Sequence, residues 1–410
     1  MCVVSRSNSS VISPPDRHLW VFSKESINYQ PVLYDDRVFV VGEESGSTSL
    51  YAIDLDNGNS LWEFRSNCDI TSPVVSEETV YVGYSTVGTL QHRADSLYAL
   101  DATDGTKQWR EKIDDKIFSA LTLNAGTLYF VSGSNTLHAV DVNTTTELWQ
   151  QQLQRNQPEG IFNGDFSPVV DNGIVYVGLP DSIKSSSSKL YAVNSENGIV
   201  EWDFEIPSYR GRVTPLRTTV VDGTVYVGTP RTLYAVDTLS GEEKWQFETP
   251  SRNERIPNVL PNQSHVPLPI VTNEKAYIGT QTGLYAVDVT QGTQEWHFPT
   301  WNLPANAIAI LGQTVCVGTP DGLYTVDATT GDGQWRWGVG RGGTHSVVAS
   351  TDAIYMSNDS CLRVIPVEDY AEQCQNCGAE LNEYGEVDYC PECGSKTGSS
   401  SGSETEVYDK

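Results

Sequence analysis

Thr71-Ser72-Pro73-Val74-Val75, Val80-Tyr81-Val82-Gly83, Leu97-Tyr98-Ala99-Leu100-Asp101, Gly105 and Trp109 succeed one another at a spacing that fits four short strands. Val, Thr and Tyr fill the runs while Pro, Asp and Gly punctuate them, the composition of strands joined by turns. The pattern recurs. Ala stands ten residues before Trp in Ala52/Trp62, Ala99/Trp109, Ala139/Trp149, Ala192/Trp202, Ala235/Trp245 and Ala286/Trp296, and Thr325 takes the Ala place before Trp335. Two residues after it comes Asp54, Asp101, Asp141, Asp237, Asp288 or Asp327, with Asn194 as the one amide. Four further on comes Gly58, Gly105, Gly198, Gly241, Gly292 or Gly331, with Thr145 as the exception.

Each unit therefore predicts a hairpin between its third and fourth strands. The Asp starts the turn by accepting nearby backbone N–H groups, and Gly supplies a positive φ. The Trp is expected to pack on a neighbouring unit, with the small Ala leaving room for the ring. Units run from 39 residues, Trp296 to Trp335, to 53, Trp149 to Trp202, the period of propeller blades. Strands such as Val225-Tyr226-Val227-Gly228 can be apolar on both faces because blades stack on both sides.

The two ends of the pattern are complementary. An eighth unit, His345-Ser346-Val347-Val348, Ala353-Ile354-Tyr355-Met356 and Leu362-Arg363-Val364-Ile365, has no fourth strand, and His18-Leu19-Trp20-Val21-Phe22 is a fourth strand with no unit before it. Joining them removes the free sheet edges. The prediction is an all-β, eight-bladed β-propeller over 18–366, closed by the N-terminal strand, with Trp20 as the eighth motif tryptophan. Residues 1–17 are an extension. Trp301 and Trp337 fall outside the motif.

Segments such as Leu233-Tyr234-Ala235-Val236-Asp237-Thr238-Leu239-Ser240-Gly241-Glu242-Glu243-Lys244-Trp245 resemble the tryptophan-docking repeat of pyrroloquinoline-quinone-repeat proteins. That family includes quinoprotein dehydrogenases and the propeller lipoprotein of the outer-membrane β-barrel assembly machinery. The resemblance covers 18–366 and does not by itself imply the cofactor.

Beyond the repeat, Cys374-Gln375-Asn376-Cys377-Gly378 and Cys390-Pro391-Glu392-Cys393-Gly394 form two C-x-x-C pairs. Each places two thiolates on one turn, and together they make a tetrahedral set for structural zinc with no position open to substrate. Residues 374–394 thus resemble a small zinc ribbon. Two local disulfides and a rubredoxin-like iron are the alternatives. Cys2, Cys68, Cys316 and Cys361 show no ligand spacing, and 395–410, rich in Ser and acids, reads as a disordered tail.

The net charge of -27, from 53 acidic against 26 basic residues, disfavours nucleic acid and anionic membranes as partners. So acidic a composition, with few lysines, resembles proteins of haloarchaea. No run of about 18 apolar residues is present to span a membrane. The N-terminus lacks the apolar core of a secretory signal, and the chain reads as a cytoplasmic monomer. An exported lipoprotein bearing lipid on Cys2, from a misassigned start, is the alternative.

In propellers of the resembling family, the loops entering each first strand surround the channel mouth. Aligned on Ser72-Pro73, those positions hold Gln30, Ser119, Ser167, Arg217, Leu268, Asn306 and His345, with Asp165, Arg212, His265 and Arg341 nearby. Arg217, Arg341 and His345 are the candidates for touching a cofactor. No triad, carboxylate pair or metal cluster emerges, so no residue is expected to be catalytic. Among the histidines away from the mouth, His92, His138 and His297 read as structural or exposed. The expected function is non-catalytic binding of a protein or carbohydrate, with the ribbon as a docking module. A pyrroloquinoline-quinone-dependent oxidoreductase is the alternative.

Overall fold

In the computed structural model the repeat becomes eight antiparallel sheets in sequence order, spanning 26–66, 69–113, 122–152, 169–207, 217–248, 270–299, 307–338, and 346–366 with Trp20–Ser23. The structure describes residues 20–366 except 67, 86–94, 118, 155–166, 181–186, 208–215, 230, 250–267, 301–304, 306, 339–342 and 359. The 374–394 cysteines and the tail lie outside it.

Strand Trp20–Ser23 pairs with Cys361–Pro366, outermost in the eighth blade. Its register sets Trp20 opposite Val364, the residue in the Ala place. Every other blade shows the same pairing, Ala52 with Trp62 through Thr325 with Trp335, followed by a register shift that bulges the hairpin toward its turn. One hydrophobic cluster fills each junction between neighbouring blades. Trp20, Ile27, Val38, Tyr51, Tyr355 and Leu362 join the last blade to the first, so the ring is closed.

The role of the motif glycine goes further than the turn. The Trp of one blade reaches forward to the turn of the next. A Cβ on Gly58 would come within 2.6 Å of the Trp20 ring, and one on Gly292 within 2.6 Å of Trp245. At φ +73 and +68 both positions also favour glycine, so conformation and packing select the same residue. The indole N–H then donates to a turn carbonyl: Trp20 to Leu55 at 2.7 Å, Trp62 to Ala102 at 2.9 Å, Trp245 to Val289 at 2.8 Å and Trp296 to Ala328 at 3.1 Å. Sequence reasoning gave the space-making role to Ala; Gly on the receiving blade shares it.

The turn aspartates behave as their position predicts. Oδ1 of Asp237 accepts the N–H groups of Leu239 and Ser240, both at 3.0 Å, and Lys244 lies 3.1 Å from Oδ2. The Ser240 N–H first, and then the Lys244 ammonium, lower the Asp237 carboxyl to about 2. Because the folded pKa lies below the unfolded one, this stabilisation is present above about pH 4 and is lost as pH falls toward 2. Asn194 makes the same turn with Glu196 and Asn197, so Asp237→Asn should fold. The stability difference between wild type and Asp237→Asn, measured by urea unfolding at a series of pH values, should be constant above pH 5 and shrink below pH 4.

Candidate partner-binding face

Strands alternate in direction, so each blade sends its first-to-second and third-to-fourth turns to one face and its other connections to the opposite face. The first of these faces is tight and acidic. Asp35-Asp36, Glu77-Glu78 and Asp222-Gly223 close two-residue hairpins, with Asp35, Glu77, Glu78 and Asp222 all at positive φ, and the motif aspartates lie beside them. On the second face open the strand ends joined by residues 153–168 and 249–269, the longest connections in the ring. Loops of this kind, on a rigid frame, are where binding residues concentrate. Arg217 and Arg231 of the fifth blade and Lys116 share this face with Glu25, Glu43, Glu44, Asp69, Asp114 and Asp115, so its charge is mixed.

The innermost strands begin at the mouth of the central channel. Gln30 is exposed there beside Tyr29, whose φ of +65 marks a bulge between Asn28 and Val32. Ser72-Pro73 interrupts the inner strand of the second blade, since Pro offers no N–H to the ladder. Ser167 is half-buried and precedes Pro168. Arg217 opens strand Arg217–Val221 opposite Gly228, Leu268 is 40% exposed, and His345 is exposed with its N–H donating to the Ser357 carbonyl. Asp165, Arg212, His265, Asn306 and Arg341 lie outside the described residues.

Ser119 does not belong to this rim. It is fully buried, its hydroxyl accepting from Val131 N–H and donating to the Ala120 carbonyl, the bonds Thr71 makes with Gly83 and Ser72. Its equivalent is Thr71, one residue earlier than the sequence alignment placed it.

The aligned rim positions that are described offer amide, hydroxyl, guanidinium and imidazole groups, and Asp69, which opens the inner strand of the second blade, adds a carboxyl raised by burial and by Glu43. Calcium takes oxygen ligands, carboxylates foremost. No group of three or more His, Cys, Asp or Glu suited to a metal occurs among the described residues. Away from the rim, His138 is buried, stacked on Phe130 with ring centroids 4.8 Å apart, and Nδ1 lies 2.6 Å from Glu147. His297 stacks on Tyr285 at 4.1 Å. Both pack the frame.

One repeat position escaped sequence reasoning although it was readable. Two residues beyond the motif Trp stands Phe22, Phe64, Phe204, Phe247 or Phe298, each meeting a tyrosine of the next blade, as Phe64 meets Tyr98 at 5.6 Å. Trp337 takes this place in the seventh blade and is buried in its junction with the eighth.

Eight blades, six of whose junctions are locked by a tryptophan seated on the glycine turn of the next blade, define a tryptophan-docked propeller. The family model described as outer membrane protein assembly factor BamB matches residues 70–217 and 210–364, and the chain belongs to that family. BamB of Moranella endobia (strain PCIT) is 26% identical over 201 residues, covering 47% of this chain and 46% of that protein. The match spans about half the length of the curated relatives. The crystal structure of BamB from Moraxella catarrhalis superposes with a TM-score of 0.61 at 17% identity, covering 85% of this chain and 96% of that one. A quinohemoprotein alcohol dehydrogenase from Comamonas testosteroni gives 0.63 at 15%, covering 92% of this chain and 79% of that one. Likeness at this level is one of fold, and it reaches scaffold and enzyme alike.

Proposed function

We propose that the chain is a non-catalytic scaffold that binds a protein partner on the face bearing the long connections. The observation that carries this reading is the asymmetry of the disc: repeat residues are consumed by packing and tight turns on one face, while the variable connections and the mixed rim share the other. The family's role as an assembly factor supports a protein partner over a carbohydrate. Changing Arg217→Glu, Leu268→Asp and His345→Glu together should lower retention of the partner from native extract at high salt at least tenfold. Leu239→Asp, at a 90% exposed site on a third-to-fourth-strand turn, should leave it unchanged. Equal retention by both variants would place the interface elsewhere. Purified protein given pyrroloquinoline quinone and calcium is expected to show no dye-linked oxidation of alcohols or sugars; turnover lost on changing Arg217 or His345 would instead favour the oxidoreductase.

The four-cysteine segment enters this reading as a docking module holding structural zinc through Cys374, Cys377, Cys390 and Cys393. Elemental analysis should find one zinc per chain in reducing preparations, and replacing any one of the four by Ser should abolish it while the propeller melts unchanged. A cytoplasmic, reducing location agrees with such a site and with Cys68, Cys316 and Cys361, which form no disulfide. Burial pushes the Cys316 thiol up to about 12, making it an inert core residue. No helix among the described residues is long and apolar enough to cross a membrane.

A further inference from the structure

In six blades the third strand carries a tyrosine just before the Ala place, Tyr51, Tyr98, Tyr191, Tyr234, Tyr285 and Tyr324, and in the third blade this place is His138. A side chain here reaches the turn between the second and third strands, for the Tyr324 hydroxyl lies 3.1 Å from Asp321 and that of Tyr285 3.1 Å from Thr282. In the eighth blade this place belongs to Arg363, which is only 7% exposed.

The seventh blade provides an internal control. There Arg336, opposite Tyr324 on the fourth strand, lies over the tyrosine ring and pairs with the Asp321 carboxylate in the turn. In the eighth blade the cation has moved to the third strand, Val21 stands opposite it, and Ser360 occupies the turn place of Asp321. Among the described residues Arg363 has no ion-pair partner, and its Nε, like that of Arg336, is buried without a hydrogen bond, so the missing carboxylate is what distinguishes the eighth blade. Two neutral groups at the same end of the junction are likewise buried and unpartnered. Asn358 spends Oδ1 on the N–H groups of Ser360 and Cys361, leaving Nδ2 unused, and the Thr344 hydroxyl, on the residue packed over Gly318, is unpaired. A guanidinium cannot shed its proton, and burying it uncompensated is costly.

We propose that the loop-bearing end of the junction between the seventh and eighth blades binds a carboxylate-sized oxyanion. Arg363 supplies the charge and Asn358 Nδ2 an additional donor. The site is independent of the partner-binding reading, and either can fail alone.

The test is thermal unfolding of the full chain in sodium acetate against sodium chloride at matched ionic strength, with calorimetric titration of acetate. Wild type should gain several degrees as acetate rises and titrate at one site per chain. Ser360→Asp supplies the carboxylate that the seventh blade already has, and Arg363→Met removes the charge. Both should lose the acetate-specific gain, and Arg363→Met should melt in chloride at or above wild type. A blocked glutamyl peptide in place of acetate separates a protein side chain from a free anion as the natural source. No acetate-specific gain in wild type, or the same gain in all three proteins, would overturn the site. So would a gain that appears only in Asp359→Asn.

Discussion

Removal of residues 1–24 is expected to abolish cooperative folding or to leave an aggregating protein that melts at least about 10 °C lower. The truncation takes away the outermost strand of the eighth blade, leaving strand Cys361–Pro366 as a bare edge, and unpaired edges recruit other chains. It also removes Trp20, which is 6% exposed, bonds to the Leu55 carbonyl and sits on Gly58 of the first blade. Loss of such a ring alone costs about 3 to 5 kcal/mol, a large share of the roughly 5 to 15 kcal/mol that stabilises a typical domain. Circular dichroism melts and size-exclusion chromatography decide the matter. A truncated chain that melts like the full-length one would mean the ring closes without its N-terminal strand.

Trp245→Ala should cost about 3 to 5 kcal/mol in urea unfolding. The ring bridges two blades, packing near Tyr226 in its own and on Gly292 in the next, where its N–H is also satisfied. Trp109→Ala should cost about 1 kcal/mol less, because the next blade presents Thr145 where the others present Gly, and the threonine is held at φ +56. Equal losses at the two sites would show that the glycine contact contributes little to docking.

The fold was legible because its period was carried by residues whose reasons are local. Asp and Gly make a turn wherever they stand, and counting from Trp to Trp locates each blade without knowledge of its neighbours. Even ring closure could be read, since the eighth unit lacked what residues 18–22 supply. What sequence could not resolve were relations between blades. That Gly58 receives Trp20 depends on which blade follows which, and Ser119 slipped by one residue because its buried bonds, not its neighbours in sequence, define its place. The channel rim was legible only as a set of positions. Whether Arg217, Leu268 and His345 act together depends on loops whose sequences share no repeat. Arg363 was read as an ordinary strand residue because its want of a counter-charge appears only beside the Arg336–Asp321 pair of the adjoining blade.

The closing strand also fixes how the disc can be held. Trp20 enters the ring opposite Val364 and the ring is left at Pro366, so chain arrives and departs at the point where the other blades have their third-to-fourth-strand turn. Whatever precedes the ring and whatever follows it are thus leashed to one spot on the tight-turn face. A load applied through either leash pulls on the same blade, and a disc suspended this way hangs with its long connections turned outward from the attachment, free to meet a visitor.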